Sequence, residues 1–155
     1  MYKIENEKLI IQKVNKDSKI TNKLIDFIKN FSWIEIKEHM LKIVQKWEFI
    51  EWEALFVAII NNEIIGMVTI MKSDYYDLPT IYPWISSVFV SEEYRGNKIS
   101  GKLIDFANKY AKKVGFKRTY IPTKFIGLYE KYGYKYIQDI INLNGANRHL
   151  YVKKL

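Results

Sequence analysis

Hydrophobic and polar positions near the start of the chain predict a strand followed by a helix. The run from Lys8 to Val14 is rich in β-branched and apolar residues, which is typical of a short strand. Ser18 or Thr21 is placed to cap the helix that follows. The apolar positions of this helix recur at helical spacing and are Ile20, Leu24, Ile25 and Ile28.

A second helix is predicted to begin directly afterwards. Ser32 followed three residues later by Glu35 has the spacing of a capping box, and the helical pattern continues to about Gln45. The apolar side chains of this helix face more than one direction, so we expect it to contact both the core and a cleft. These side chains are Ile34, Ile36, Met40, Leu41 and Val44.

The rest of the chain consists of β-rich runs interrupted by turn residues and two further helical segments. The predicted strands cover residues 54–60, 64–70, 83–90, 116–121, 134–143 and 148–153. Asn61-Asn62 and Asn144-Gly145 are the turns of two predicted hairpins. Helices are predicted from Arg95 to Val114, ended by Gly115, and from Lys124 to Tyr132.

The order of these elements predicts the fold class. Read as β-αα-ββ-β-α-β-α-ββ, the chain is a mixed α/β protein of the α+β type, with a mostly antiparallel sheet of about seven strands and about four helices. No repeat, linker or low-complexity segment interrupts the pattern. At 155 residues, of which 48% are hydrophobic, the chain is expected to form one domain over residues 1–155.

Composition excludes several kinds of chemistry. The chain has no cysteine, so a disulfide framework, a thiolate metal site and a cysteine nucleophile are all excluded. His39 and His149 are the only histidines, and their separation does not match metal-ligand spacing. No metal is therefore expected, and neither histidine is predicted to be catalytic.

The net charge of +8 raises the question of a nucleic-acid partner. Lysines supply most of this charge and are spread along the whole chain, which favours a diffuse basic surface and argues against a nucleic-acid footprint. No apolar run approaches the ~20 residues of a membrane span, and Met1 to Asn6 lack the pattern of a signal peptide. We therefore expect a cytoplasmic protein.

The segment from Ile85 to Ile104 carries the strongest functional signal. An apolar strand ends there in a basic, glycine-containing loop that opens a helix, and the first N–H groups of a helix lack intrahelical acceptors and attract anions. The small residues of the loop allow a pyrophosphate to approach the backbone, and its basic residues add charge. The candidate phosphate-binding residues are Arg95, Gly96, Asn97, Lys98, Ile99, Ser100, Gly101 and Lys102.

This segment and a second block resemble the GNAT superfamily of N-acetyltransferases. The family's signature is Arg or Gln, two residues, Gly, one residue, and Gly or Ala; Arg95 and Ser100 fit its ends, whereas Lys98 replaces the first glycine. Leu128 to Tyr134 reads Leu-Tyr-Glu-Lys-Tyr-Gly-Tyr and resembles the family's Leu/Phe-Tyr-Glu-Lys-x-Gly-Phe block. The resemblance extends from about Trp84 to Tyr136.

The resemblance implies a function and several residue roles. It implies acetyl-CoA as cosubstrate, a fold in which the fourth and fifth strands splay apart, and Tyr129 as the catalytic donor to the departing thiolate. The main chain of Val88, Phe89 and Val90 is expected to bind the pantetheine arm by strand-like pairing. A phenol is protonated at neutral pH, which suits it to donate to sulfur.

The acceptor side is less defined by the sequence. We predict that Trp33 and Trp84 line it, since aromatic surfaces desolvate an amine. Small-molecule and peptide amines both stay open as acceptors. The base that receives the amine proton is also open between a water chain and the carboxylates of Glu35, Glu38, Asp74 and Asp77.

Other interpretations of the chain make different predictions. Gly96 to Lys102 also spells the G-x-x-x-x-G-K of a phosphate-binding loop, but Leu103 replaces the Ser or Thr that would bind Mg²⁺. A CoA-binding module without catalysis and a basic domain that binds RNA or ribosomes are the two non-enzymatic alternatives. The C-terminal strands are compatible with a homodimer.

Overall fold

The computed structural model describes residues 8–155, so the N-terminal residues 1–6 considered above as a leader lie outside the described residues. Within the described range the chain forms one seven-stranded sheet and three α-helices. The elements are β1 (Ile10–Lys13), α1 (Thr21–Lys29), α2 (Ile34–Lys46), β2 (Ala54–Ile60), β3 (Glu63–Met71), β4 (Trp84–Val90), α3 (Ile99–Lys113), β5 (Arg118–Thr123), β6 (Lys135–Ile141) and β7 (Asn147–Lys154). No helix in this range has the length and hydropathy needed to span a membrane.

The sheet has the strand order β1-β2-β3-β4-β5-β7-β6, and all neighbours are antiparallel except β4 and β5. The predicted hairpin of β2 and β3 is confirmed, and its turn residues Asn61 and Asn62 both have positive φ, 51° and 64°. Two consecutive residues of this kind form the tight turn whose twist matches the flanking strands. The mostly antiparallel sheet predicted from the element order is therefore present.

Strands β4 and β5 separate, as the family resemblance implies. Their register contains the single pair Trp84 and Tyr120, and the Tyr120 N–H donates to the Pro83 carbonyl at 3.0 Å. Beyond this point β4 has a bulge in which Ser87 and Val88 oppose one residue of β3, with Ser87 at φ 51°. The ends of β4 and β5 therefore leave an opening in the sheet.

The two faces of the sheet are covered by different helices. Alternate side chains of β2 and β3 point to opposite faces, so Phe56 and Val68 pack with Leu103 of α3. Leu55 and Met67 pack on the other face, in a cluster with side chains of α1 and α2. We refer to these two sides as the α3 face and the α1–α2 face.

The predicted helix caps are wrong, and the predicted fourth helix is shorter than expected. Helix α2 begins at Ile34 after Trp33, and no side chain caps its amides, so the expected capping box of Ser32 and Glu35 does not form. The Ser18 hydroxyl lies 3.3 Å from the Thr21 hydroxyl, and helix α1 also has no side-chain cap.

Only Tyr129–Tyr132 of the predicted helix Lys124–Tyr132 is helical, and it forms a single 3₁₀ turn. The preceding residues are fixed in other ways. Gly127 has φ 89°, and its N–H donates to the Glu130 carboxylate at 2.9 Å. The Phe125 N–H donates to the Thr123 hydroxyl at 3.0 Å. In these two bonds the backbone N–H groups donate to side chains and not to the backbone carbonyls of a longer helix.

Candidate functional site

A cleft of about 640 Å³ lies where β4 and β5 separate, and we call it the β4–β5 cleft. Side chains from both faces of the sheet line it. The α1–α2 face contributes Trp33 and Glu35, while the α3 face contributes Ile99, Ser100 and the 3₁₀ turn that carries Tyr129. Two ligands could therefore meet in this cleft from opposite faces of the sheet.

The N-terminus of α3 forms one wall of the β4–β5 cleft. The first backbone bond of this helix runs from the Lys102 N–H to the Lys98 carbonyl at 3.2 Å. The N–H groups before it, at Ile99, Ser100 and Gly101, belong to the turn that has no intrahelical acceptor, and the helix dipole makes this end positive. The wall therefore suits a phosphate group.

Lys98 caps this helix in a left-handed conformation, with φ 60° and ψ 25°. Glycine adopts this conformation without the steric cost that a Cβ atom brings. The GNAT-like signature has its first glycine at this position, and the backbone of Lys98 takes a conformation that favours glycine. The lysine also adds a positive charge beside the helix N-terminus.

Arg95 is held beside the end of β4. Its Nε donates to the Val90 carbonyl at 3.1 Å, and its guanidinium carbon lies 5.7 Å from the centre of the Phe89 ring. No carboxylate of the described residues forms an ion pair with it. Its other N–H groups are therefore not committed to an acidic partner.

The structure brings together most, but not all, of the predicted cofactor residues. Those that line the β4–β5 cleft are Val88, Phe89, Val90, Arg95, Gly96, Lys98, Ile99 and Ser100. Asn97 lies outside it, and its side-chain amide donates to the Tyr94 carbonyl at 2.9 Å. Lys102 lines a separate groove with Leu9 and Ile11.

Gly101 also lies outside the cleft lining, because its Cα faces the ring of Tyr132. From the sequence, the small size of Gly101 predicts room for a pyrophosphate. The structure gives another reason for it, since the phenol ring of Tyr132 occupies the space that a side chain would need.

Tyr129 lies in the β4–β5 cleft, and the centres of the Tyr132 and Tyr134 rings are 6.4 Å and 6.3 Å from the centre of its own ring. Burial, and to a smaller extent Tyr132, raises the pKa of Tyr129 above its ordinary value of 10.0. Its hydroxyl forms no hydrogen bond with another residue of the described chain. At neutral pH the site therefore holds a neutral, uncommitted phenol.

The two tryptophans predicted at the acceptor side have different positions. Trp33 lines the β4–β5 cleft and is 39% exposed. Trp84 is only 1% exposed, packs with Ile140 and Leu150, and stacks on Tyr76 with ring centres 5.3 Å apart. Trp84 is therefore a core residue that does not line the cleft, because its side chain packs against residues of other strands of the same sheet.

The acidic candidates are also separated by the structure. Glu35 lines the β4–β5 cleft, whereas Glu38 and Asp77 are exposed and lie outside its lining. Asp74 lies in the loop between β3 and β4, where burial raises its pKa from 3.8 to about 6, and the Tyr75 N–H, which donates to its carboxylate, partly offsets this effect. Glu35 is thus the acid best placed to act in the cleft.

The two histidines lie outside the cleft lining as well. His39 is exposed on α2 with its ring edge-on to Tyr75. His149 pairs with Asp139, with 2.6 Å between Nδ1 and Oδ1. Across the described residues, no group of three or more His, Asp or Glu side chains could hold a metal ion.

Arg148 is a cleft residue that the sequence analysis did not identify. It is the second residue of β7, which pairs with the end of β5, and it is half-buried in the lining of the β4–β5 cleft. Its Nη1 donates to the Asn147 carbonyl at 2.7 Å, and no carboxylate of residues 8–155 forms an ion pair with it. Its position depends on strand pairing, which leaves no local signal.

A buried polar network lies next to the elements that form the cleft. The Tyr134 hydroxyl lies 2.8 Å from the Thr119 hydroxyl and 3.1 Å from the side-chain amide nitrogen of Asn108, and Thr119 donates to the Asn108 carbonyl oxygen at 2.6 Å. These bonds join α3, β5 and Tyr134, which lies two residues after the 3₁₀ turn. Asn108 stands within the apolar stripe of α3, and this is the signal by which the sequence could have indicated the network.

Comparison with known families identifies the class of protein to which the chain belongs. Residues 24–134 match the model of the acetyltransferase (GNAT) family, and the chain belongs to that family. A comparison with the sequences of curated proteins found no significant match.

Solved structures of the same fold cover nearly the whole chain. An aminoglycoside 6'-acetyltransferase of type Ii is 18% identical, with a TM-score of 0.74 and coverage of 94% of this chain and 96% of its own. An aminoglycoside 6'-N-acetyltransferase complexed with coenzyme A is 16% identical, with a TM-score of 0.72 and coverage of 94% and 96%. A GNAT family acetyltransferase from Elizabethkingia anophelis with acetyl-CoA bound is 21% identical, with a TM-score of 0.65 and coverage of 95% and 98%.

Proposed function

We propose that this GNAT protein transfers the acetyl group of acetyl-CoA to a primary amine by direct attack within a ternary complex. The observation that carries the proposal is a single cleft lined from both faces of the sheet, with a helix N-terminus and an unpartnered phenol in its lining. The similar structures with bound CoA or acetyl-CoA support the choice of cosubstrate.

The cofactor is assigned to the α3 face. Its pyrophosphate binds the amides at the start of α3, with positive charge from Arg95 and Lys98. The pantetheine amides pair with the main chain of Val88, Phe89 and Val90, because β5 has diverged and leaves this edge of β4 without a neighbouring strand. This arrangement brings the thioester into the opening between the two strands.

The chemistry uses the residues that line the cleft. The amine nitrogen attacks the thioester carbonyl carbon, an N–C bond forms, and the C–S bond then breaks with the electron pair left on sulfur. Tyr129 donates its phenolic hydrogen to the sulfur as this charge develops, and Glu35 receives the proton that the amine must lose. The products are an acetylated amine and the thiol of CoA.

Thermal unfolding separates this proposal from its alternatives. We expect acetyl-CoA to stabilise the protein, by ~2.7 kcal/mol at about 100 times its Kd, and ATP and RNA to leave it unchanged. Stabilisation by RNA or ATP without an effect of acetyl-CoA would contradict the proposal. Release of CoA in the presence of a panel of primary amines then tests transfer. Binding of acetyl-CoA with no acetylated product from any amine would favour a non-catalytic module.

The phosphate position has its own test. Ser100→Asp puts a carboxylate at the start of α3, where it stabilises the helix but repels pyrophosphate, so acetyl-CoA affinity should fall about tenfold or more. Thr80→Asp is the matched control, since Thr80 is exposed in the loop between β3 and β4 and lies outside the cleft lining. Equal affinities of the two variants by calorimetry would show that the phosphates bind elsewhere.

A further inference from the structure

We propose that the amine acceptor also carries a carboxylate group, and that Arg148 binds this carboxylate in the β4–β5 cleft. The proposal rests on the acetyltransferase function above, and it narrows the acceptor to a class of small amines or peptide ends that have both charges.

Strand alternation places Arg148 on the acceptor face. Tyr151 packs in the cluster that contains α3, whereas Leu150 packs with Trp84 and Ile140. Because successive side chains of a strand point to opposite faces, Arg148 is on the side of Leu150, away from α3. The cofactor phosphates are assigned to the start of α3, so Arg148 is not in position to serve them.

Electrostatics agrees with this placement. Tyr76 stacks on Trp84 on the same face of the sheet. Burial, and to a smaller extent Asp74, raises the pKa of Tyr76 to about 12, while the positive charge of Arg148 lowers it in part. The positive charge of Arg148 therefore acts on Tyr76, which lies on the side of the sheet that strand alternation gives for Arg148.

The Arg148 guanidinium has no acidic partner within the described chain. A half-buried arginine has lost part of its hydration, and a bidentate pair with a carboxylate is the geometry that its planar fork matches best. The one bond that it donates within the described chain, from Nη1 to the Asn147 carbonyl, leaves the N–H groups of Nε and Nη2 for a ligand.

The charges of the side chains that line the cleft also favour an acceptor with a carboxylate over a polycation. Its lining contains Arg95, Lys98, Lys124 and Arg148 against the single carboxylate of Glu35. Because Arg95 and Lys98 are assigned to the cofactor phosphates, a polycation such as an aminoglycoside would meet Lys124 and Arg148 against this one carboxylate, which opposes its binding. An amine with a carboxylate instead places its cation near Glu35 and its anion near Arg148.

Binding to the CoA-saturated protein tests the proposal without requiring turnover. Calorimetry would compare matched pairs of amines that differ only in charge: glycine and glycinamide, β-alanine and β-alaninamide, L-lysine and L-lysinamide, with kanamycin and spermidine as polycations. We expect at least one carboxylate to bind about tenfold or more tightly than its amide and than either polycation. In Arg148→Met this ratio should fall to about one.

Arg118→Met is the matched control, because Arg118 is exposed at the opposite end of β5 and outside the cleft lining. It should keep the wild-type ratio. Tighter binding of amides or polycations, a preference that survives in Arg148→Met, or a loss of CoA affinity in that variant would each overturn the proposal. CoA release with the preferred amine is measured separately, so failure of transfer would be distinguished from failure of recognition.

Discussion

The ring of Tyr132 lies directly against the backbone of Gly101. A Cβ atom at Gly101 would be 2.6 Å from Cε1 of that ring and 3.2 Å from its hydroxyl oxygen. This contact fixes the first turn of α3, whose amides are assigned to the cofactor phosphates, against the 3₁₀ turn that carries Tyr129. The contact between Gly101 and Tyr132 therefore helps to set the position of the proposed acid, Tyr129, relative to the proposed anion site.

A double-mutant cycle tests this contact. Gly101→Ala should lower the free energy of unfolding by about 1–3 kcal/mol, because the methyl group overpacks against Tyr132. In a Tyr132→Ala background the same change should be neutral or stabilise by up to about 1 kcal/mol, since alanine favours a helix over glycine. Equal effects of Gly101→Ala in both backgrounds, measured by urea denaturation, would show that the two residues are not coupled.

Tyr129→Phe isolates the role of the phenol. The ring and its packing are kept, so the fold and acetyl-CoA affinity should be preserved, while turnover with an identified acceptor should fall by about 10²–10⁴-fold. The hydroxyl has no partner within the described chain, so its removal leaves no unsatisfied protein group. Full turnover in this variant would remove Tyr129 from the mechanism.

Asp74 should make stability depend on pH. Its pKa is raised from 3.8 to about 6 in the folded protein, so the folded state holds this proton over a range in which the unfolded state has lost it. The contribution of this group to stability is therefore highest below about pH 4, falls as the pH rises to about 6, and stays low above that. A neutral residue at this position would escape the cost of burying the charge.

Asp74→Asn should consequently raise the free energy of unfolding by about 1–2 kcal/mol near about pH 7.5, with the gain disappearing near about pH 4. The asparagine oxygen can still accept the bond from the Tyr75 N–H. Asp77→Asn, exposed in the same loop, is the control and should change little at either pH. A gain that does not vary with pH would argue against the raised pKa.

The buried network behind the cleft should be important for stability. Tyr134→Phe deletes the hydroxyl that accepts from the Asn108 side-chain amide and lies 2.8 Å from Thr119, and it leaves a buried donor without a partner. We expect a loss of about 1–3 kcal/mol in the free energy of unfolding. Tyr136→Phe, on a residue that is 53% exposed, should cost less than about 0.5 kcal/mol. Similar losses in both variants would contradict the structural role of the network.

Local patterns determined much of this protein. The strands, the hairpin turn at Asn61 and Asn62, and the helix that opens after Arg95 follow from periodicity and turn residues, which act between near neighbours in the chain. The block from Leu128 to Tyr134 indicated the family and Tyr129 through its resemblance to the family's own sequence block. Local signals failed at helix starts, where Ser32 and Glu35 have the spacing of a capping box but do not form one.

Tertiary structure decided which of these residues share a site. Arg148 lines the cleft because β7 pairs with β5. Trp84 does not line it, because this first residue of β4 packs against Ile140 and Leu150. Tyr132 explains Gly101 although 31 positions separate them in the sequence. Such contacts depend on strand order and on the face to which each side chain points. A one-residue change of register reverses that face, and only the packed sheet sets the register.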